Sequence, residues 1–326
     1  MSIKFLILLM TTSYHAIATW IEDSQYKPPG QLIDIGGYKL HLYSQGKGNV
    51  TVVIDHSLGG LDGYFLIKKI AKITRVCIYD RPGYGWSDPS PKKRCSEEVV
   101  RELDTLLSRA GIEPPYILVG DSFGSYNVRL YAHYFPEKVV GIVLTDGLHE
   151  KEMLKMSPLL TALKLFFISG FIMSALGSIL GIVRILGNIG IFELIKKELR
   201  QFPSQTLGRV KRSFYSYQHW ITMWREMWNL DASARQVSKA NNLSNIPIVS
   251  IKSSTFIRRS LLNFYMPLKA ADRLRDKMHA ELLKLSTNST QIKATKSSHF
   301  VWVDEPETIA SAIQQLLQKI KARVEY

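Results

Sequence analysis

Apolar positions along the chain fall into short, regularly spaced runs. Thr51-Val52-Val53-Ile54, Arg75-Val76-Cys77-Ile78-Tyr79, Tyr116-Ile117-Leu118-Val119, Val140-Gly141-Ile142-Val143-Leu144-Thr145 and Ile246-Pro247-Ile248-Val249-Ser250-Ile251 each read as a buried strand, because each is continuous, brief and bounded by turn residues. Gln31 to Tyr43 alternates as a hairpin turned at Gly36-Gly37, and Thr290-Gln291-Ile292-Lys293-Ala294 reads as a last strand. Between these runs the period lengthens. Leu61 to Lys72 predicts a helix. A second helix opens at Ser96 with Glu97 and Glu98 in its first turn and ends at Ala110 before Gly111. Pro306 to Val324 predicts a closing amphipathic helix, with Pro306 suited to its first turn and Glu307 complementing its dipole. Strands alternating with helices of these lengths predict an α/β domain built on a parallel sheet.

Chemistry enters at Gly120-Asp121-Ser122-Phe123-Gly124, which joins the strand at Tyr116 to a helix-like stretch starting at Ser125. In a strand–turn–helix context a G-x-S-x-G pattern lifts a serine hydroxyl above the sheet edge, which makes Ser122 a candidate nucleophile. A hydroxyl needs a base for its proton and donors for the oxyanion it creates. The donors are expected at the backbone N–H of Ser57 or Leu58, in the Gly-rich turn after Ile54, and at the N–H of Phe123. Two histidines come under consideration for the base. His56 sits beside the oxyanion turn and suits a bracing role, whereas His299 lies on a loop after the final strand, where a base of this architecture belongs. His133, His149, His219 and His279 fall on or beside helices and are explained by packing or solvation. No pair of them has the spacing of metal ligands.

Taken with Asp80-Arg81-Pro82-Gly83-Tyr84-Gly85-Trp86-Ser87-Asp88 and with Ser298-His299-Phe300 ahead of Glu305-Pro306-Glu307, these motifs resemble the α/β-hydrolase family in its serine hydrolase branch. The resemblance runs from about Gln31 to the end with an interruption in the middle. It implies an eight-stranded, mostly parallel sheet with helices on both faces, a Ser–acid–His triad and no cofactor. The chain departs from the family where the acid usually stands. The strand at Ile246–Ile251 is followed by Lys252-Ser253-Ser254-Thr255-Phe256-Ile257-Arg258-Arg259, without a carboxylate. Asp146, after the preceding strand, is therefore the expected acid, as in some relatives. Asp272 and a missing acid are the alternatives, and a turn aspartate beside Gly147 is the plain explanation of Asp146.

Residues 149–242 form the interruption, expected to be a helical cap or lid inserted into a catalytic domain of residues 31–148 and 243–326. Leu165 to Val183 holds 19 residues without a charge, enough to be scored as a membrane span. A single crossing would put Ser122 and His299 on opposite sides of the bilayer, so a buried helical hairpin or a segment dipping into one leaflet is expected instead. Gly170, Ser174, Gly177 and Gly181 provide a small-residue stripe for close helix contact. Lys196, Lys197, Arg200, Arg209, Lys211 and Arg212 beyond it offer a basic flank for anionic headgroups. Trp220, Trp224 and Trp228 recur every fourth residue and share a helix face, either as core packing or as the wall of an apolar substrate pocket.

Composition sets outer limits. A chain of 326 residues fits one α/β domain with an insertion, and its net charge of +14 favours anionic surfaces without any clustered basic module that would suggest nucleic acid. Cys77 and Cys95 read as free thiols. Residues 1–30 combine Lys4, an apolar run from Phe5 to Met10 and Ala16-Ile17-Ala18. They are expected to be a signal peptide or retained anchor ending at the Lys27-Pro28-Pro29-Gly30 breaker, with a disordered start as the plain alternative, so export or membrane association is expected over a cytoplasmic place. The function expected is hydrolysis of an apolar carboxylic ester, with lipid esters among the candidate substrates. An amidase or aminopeptidase of the same fold and a non-catalytic binding protein on a hydrolase scaffold are the alternatives.

Overall fold

The computed structural model describes residues 2–25, 27–261 and 263–324; Met1 and Tyr26 of the N-terminal segment lie outside the described residues. Eight strands, β1 (Gln31–Asp34), β2 (Lys39–Gln45), β3 (Thr51–Asp55), β4 (Arg75–Tyr79), β5 (Tyr116–Asp121), β6 (Val139–Thr145), β7 (Ile248–Ser253) and β8 (Ser289–Ala294), form one sheet in the order β1-β2-β4-β3-β5-β6-β7-β8. The β1–β2 and β2–β4 pairs are antiparallel and all others parallel. The helices are α1 (Ile3–Gln25), α2 (Gly63–Ile70), α3 (Ser96–Arg109), α4 (Gly124–Tyr134), α5 (Glu150–Met153), α6 (Pro158–Ile179), α7 (Ile182–Asn188), α8 (Ile191–Ile195), α9 (Ser204–Tyr215), α10 (Tyr217–Trp228), α11 (Leu230–Val237), α12 (Leu268–Leu282), α13 (Val301–Asp304) and α14 (Pro306–Val324).

Continuous apolar runs are what a strand needs when both its faces are covered. Val53, Leu118, Ile142 and Leu144 point into one core with Leu103, Val128, Leu130 and Met278 from α3, α4 and α12. Their neighbours Val52, Ile54, Ile117, Val119 and Val143 point the other way, against Leu66, Ile70, Trp302, Ile309 and Ile313 from α2, α13 and α14. The helix expected over 61–72 shortens to α2. β7 starts at Ile248 because Pro247 has no N–H for the ladder, although its carbonyl still accepts from the Ile142 N–H at 2.9 Å.

Helices α5 to α11 are inserted between β6 and β7 and are joined to the sheet by a buried ionic knot. The Arg81 guanidinium, in the loop after β4, donates to Glu226 of α10 (Nε to Oε1, 2.8 Å; Nη2 to Oε2, 2.9 Å) and to Asp55 at the end of β3 (Nη1 to Oδ1, 2.8 Å). It also donates to the carbonyls of His56 (2.7 Å) and Ser57 (2.8 Å). Tyr84 adds a hydroxyl to Glu226 and Tyr79 one to Asp55, at 2.8 and 3.0 Å. Removing one partner from a fully buried pair leaves the others charged and unsatisfied, which costs about 3–5 kcal/mol. Arg81→Met is therefore expected to destabilise the chain by about that amount in denaturant titrations and to expose the insertion to limited proteolysis first.

Candidate active site

Ser122 stands at the β5–α4 turn with φ +50°, in the left-handed region that an elbow requires and a side chain rarely adopts. Two glycines make that turn possible by letting backbone approach backbone. A Cβ on Gly120 would lie 2.7 Å from the Gly124 carbonyl oxygen, and one on Gly124 would lie 2.3 Å from the Asp55 carbonyl oxygen. The Ser122 N–H is held by the Thr145 carbonyl at 2.9 Å, which ties the elbow to the end of β6.

The same strand end carries Asp146, also left-handed at φ +45°. The Ser122 hydroxyl lies 2.9 Å from His299 Nε2, and His299 Nδ1 lies 2.5 Å from Asp146 Oδ2. The three residues thus form a continuous hydrogen-bonded chain, with Ser122 only 7% exposed. Asp146 accepts more than the imidazole. Its Oδ1 takes the Ser253 N–H (3.2 Å) and His279 Nε2 (3.1 Å), and Arg275 donates Nε to Oδ2 at 3.0 Å and Nη2 to Oδ1. Burial alone would raise the Asp146 pKa. Hydrogen bonds from His279 and His299, with the charges of His299 and Arg275, hold it well below the usual carboxylate range instead. Burial lowers the His279 pKa, and its Nδ1 lies 3.1 Å from the Ser250 hydroxyl, so a neutral ring accepts from Ser250 and donates to Asp146.

Asp272 has other work. It accepts the Phe256 N–H at 2.6 Å and the Thr255 hydroxyl at 3.1 Å, bracing the loop whose Phe256 carbonyl accepts the His299 N–H at 3.1 Å. It makes no described hydrogen bond to the His299 ring.

Of the two candidate donors upstream, Ser57 is corrected. Its N–H and its hydroxyl are both bound to the buried Asp62 carboxylate, so the N–H is spent inside the loop. Leu58 N–H and Phe123 N–H have no partner among the described hydrogen bonds, which leaves them as the pair that an oxyanion would satisfy. His56 braces the loop: its Nε2–H donates to the Tyr79 carbonyl (2.7 Å), its Nδ1 accepts the Gly63 N–H (3.0 Å), and burial pushes its pKa down to about 3.

The indole wall is corrected as well. Met223 and His219 of α10 approach Gly59 in the oxyanion loop and Thr222 meets Gly83, so the face turned to the sheet is His219, Thr222, Met223 and Glu226. Trp220 packs instead on Phe171 and Phe214 within the insertion, Trp224 lies beside Trp228, and Trp228 is 61% exposed. The rings that do surround the base are Phe256, Phe300 and Trp302, with centroids 5.3 to 5.9 Å from that of His299. The buried His219 Nε2, beside Gly59, has no hydrogen-bond partner among the described residues. The groups that the sequence reading missed, Arg275 and His279, sit four apart on the buried face of α12 with Leu268, Ala271, Met278 and Leu282. Charged or polar residues at core-facing positions of an amphipathic helix were the available signal.

Among proteins of known sequence, the family profile described as alpha/beta hydrolase fold matches residues 50–172. The Bacillus subtilis protein YqjL is 24% identical over 283 residues, covering 86% of this chain and 88% of its own. The uncharacterized protein YbdG of the same organism is 28% identical over 152 residues, so the match spans 44% of this chain and about half, 47%, of that relative. The solved structure of the epoxide hydrolase CorEH without ligand superimposes with a TM-score of 0.64 at 15% identity, over 89% of this chain and 98% of that one. At that identity the likeness is one of fold.

Asp62 generates a pH prediction. Burial raises its pKa to about 7, against a model-peptide value of 3.8, and the neighbouring Asp121 is pushed up by burial and by the Asp62 charge. An acid with a raised folded-state pKa keeps its proton where the unfolded chain has lost it, so the Asp62 contribution to stability falls as pH climbs from about 4 to about 7 and no further above, and Asp121 adds a fall of its own. Asp62→Asn retains an acceptor for the Ser57 N–H. It is expected to remove the Asp62 share of this fall, so that the variant gains stability on the native chain between about pH 4 and about pH 7 in denaturant titrations.

Proposed function

We propose that this chain, which belongs to the α/β-hydrolase fold family, is a serine hydrolase that cleaves an apolar carboxylic ester through an acyl-enzyme. The observation that carries the proposal is the unbroken line from the Ser122 hydroxyl through His299 to Asp146, at 2.9 and 2.5 Å, beside two N–H groups without partners among the described residues. Ser122 Oγ attacks the ester carbonyl while His299 Nε2 takes its proton. Leu58 and Phe123 N–H hold the oxyanion. Collapse of the tetrahedral intermediate expels the alcohol, which leaves with the proton from His299. Water then attacks the acyl-enzyme with His299 again as base, releasing the carboxylic acid and restoring Ser122. Asp146 orients the imidazole and stabilises its cation, and Arg275, His279 and the Ser253 N–H position Asp146.

Ester rather than epoxide or haloalkane chemistry follows from the nucleophile. A serine that opened an epoxide or displaced a halide would become an alkyl ether, with no carbonyl for water to attack, and turnover would stop after one event. A serine ester has that carbonyl. Apolar character in the substrate is supported by the surroundings of the reacting groups, where Phe256, Phe300 and Trp302 ring the base and Met223 reaches the oxyanion loop.

A fluorophosphonate probe is expected to label Ser122 and no other residue, as read by peptide mass spectrometry; an unlabelled serine would turn the scaffold into a binding protein. Asp146→Asn is expected to lower kcat by about 10³- to 10⁴-fold, and a near-native rate would remove Asp146 from the triad. Assays with p-nitrophenyl esters of graded chain length, and with matched anilides, are expected to show faster turnover of esters and a preference for longer acyl chains.

A further inference from the structure

A helix that is apolar on every side is normally buried on every side. α6 is not. Leu160, Leu163, Ile168, Ala175 and Ser178 face inward, yet its most apolar 18-residue window, with mean hydropathy 2.0, is only 17% buried. Leu165, Phe166, Ile172, Met173, Leu176 and Ile179 are 41–66% exposed, and the surface continues through Ile182, Ile189, Leu194 and Ile195 of the following turns.

The second observation is α1. It is fastened to α7 along one stripe of its C-terminal half. The buried Arg184 donates to Glu22 (2.5 and 2.9 Å), to the Thr19 hydroxyl (2.9 Å) and to His15 Nδ1 (3.1 Å). Tyr14 meets Asn188 at 2.9 Å, and the Thr11 carbonyl oxygen closes on Gly181, where a Cβ would come within 2.4 Å. Beyond Thr11 the helix leaves the protein body. Ile3 and the run Phe5 to Met10 are exposed around the full circumference, by 40–76%.

We propose that the outer face of the insertion, together with the α1 end fastened to it through Arg184, docks on a lipid bilayer. A folded partner or a second copy covers one side of a projecting helix. A hydrocarbon solvent covers every side at once, which suits a helix end that is apolar and exposed all round. Eight residues from Ile3 to Met10 rise about 12 Å, close to half the roughly 30 Å hydrocarbon core, so the end reaches into one leaflet. Lys4, on its long stem, reaches the phosphates from an oblique helix. The chain also returns to where it left: Asp146, before the insertion, accepts the Ser253 N–H, after it, at 3.2 Å, so α6 lies in the interface and does not cross.

Charge supports the same partner, through only part of the expected basic flank, Lys197 and Arg200, joined by Lys4 and Lys155. Lys196 is paired with Asp304, Lys211 with Glu193 and Arg212 with Asp23, while Arg209 lies over Tyr43, so most of the expected basic flank is engaged internally. Lys4, Lys155, Lys197 and Arg200 have no ion-pair partner among the described residues, and they border the apolar segments in sequence. On this proposal α1 is a retained anchor, not a segment to be removed.

The test is co-sedimentation of the full chain with vesicles of phosphatidylcholine and phosphatidylserine, and with phosphatidylcholine alone. The native chain is expected to pellet with both, more strongly with the anionic vesicles. The double variants Phe5→Glu/Leu8→Glu and Leu165→Glu/Met173→Glu are each expected to weaken partitioning at least tenfold. Both change exposed positions, so an unchanged melting curve separates lost docking from lost folding. Ser122→Ala is expected to partition like the native chain, which keeps the result independent of the catalytic reading. Failure of the native chain to bind either vesicle, native-like partitioning of both Glu pairs, or a stable dimer that protects these residues without lipid would overturn the proposal.

Discussion

The placement of the site rests on one buried cation. Arg81 spends all five of its N–H groups, on two carboxylates and two backbone carbonyls, at the point where β3, the oxyanion loop and the insertion converge. A lysine could not do this, since its three donors radiate from one atom and do not form a planar fork. Because the guanidinium fixes the carbonyls of His56 and Ser57, it sets which way the following N–H of Leu58 points. Because it also holds Glu226, it sets where α10 sits above that loop. The oxyanion donor and the roof therefore share a single anchor, and the Phe123 ring, 5.4 Å from the guanidinium carbon, joins the second donor's residue to it.

Much of this was legible in the residues themselves. Strand positions followed from short apolar runs because both faces of a covered sheet are dry, and the elbow followed from glycines that only a close backbone approach demands. Asp146 could be singled out from Asp272 by its place at a strand end, and the contacts now give a physical reason. A carboxylate there meets an imidazole from the loop after β8, a guanidinium and a second imidazole from α12, and an N–H from the end of β7. Asp272 is drawn instead into the turn after β7. What stayed hidden were matters of phase and of pairing. A four-residue repeat of indoles identifies a helix face but not its direction. α10 is rotated by about one residue, so that His219, Thr222, Met223 and Glu226 face the sheet. Likewise a row of basic residues says nothing of which carboxylates fold back onto it. Ser57 and Leu58 could not be separated in sequence because the side chain that decides between them, Asp62, acts from five residues away.

The displaced acid has an internal logic. With no carboxylate after β7, the end of that strand contributes a donor, the Ser253 N–H, and α12 contributes charge, so the strand end that lacks an acid becomes part of the cradle for one. Asp146 is thereby immobilised through both of its oxygens. The imidazole it orients inherits that rigidity, and the Phe256 carbonyl adds a backbone tether from the same loop.

Lys196, on the insertion, reaches Ser298 and Asp304 on either side of His299. A flap swinging open as one rigid plate would drag the proton shuttle with it and dismantle the machinery each time a reactant arrived. The insertion is thus pinned at two separate points, Glu226 to Arg81 beside the oxyanion loop and Lys196 to Asp304 beside the base, so that its place above the site is fixed from both sides of the reacting serine.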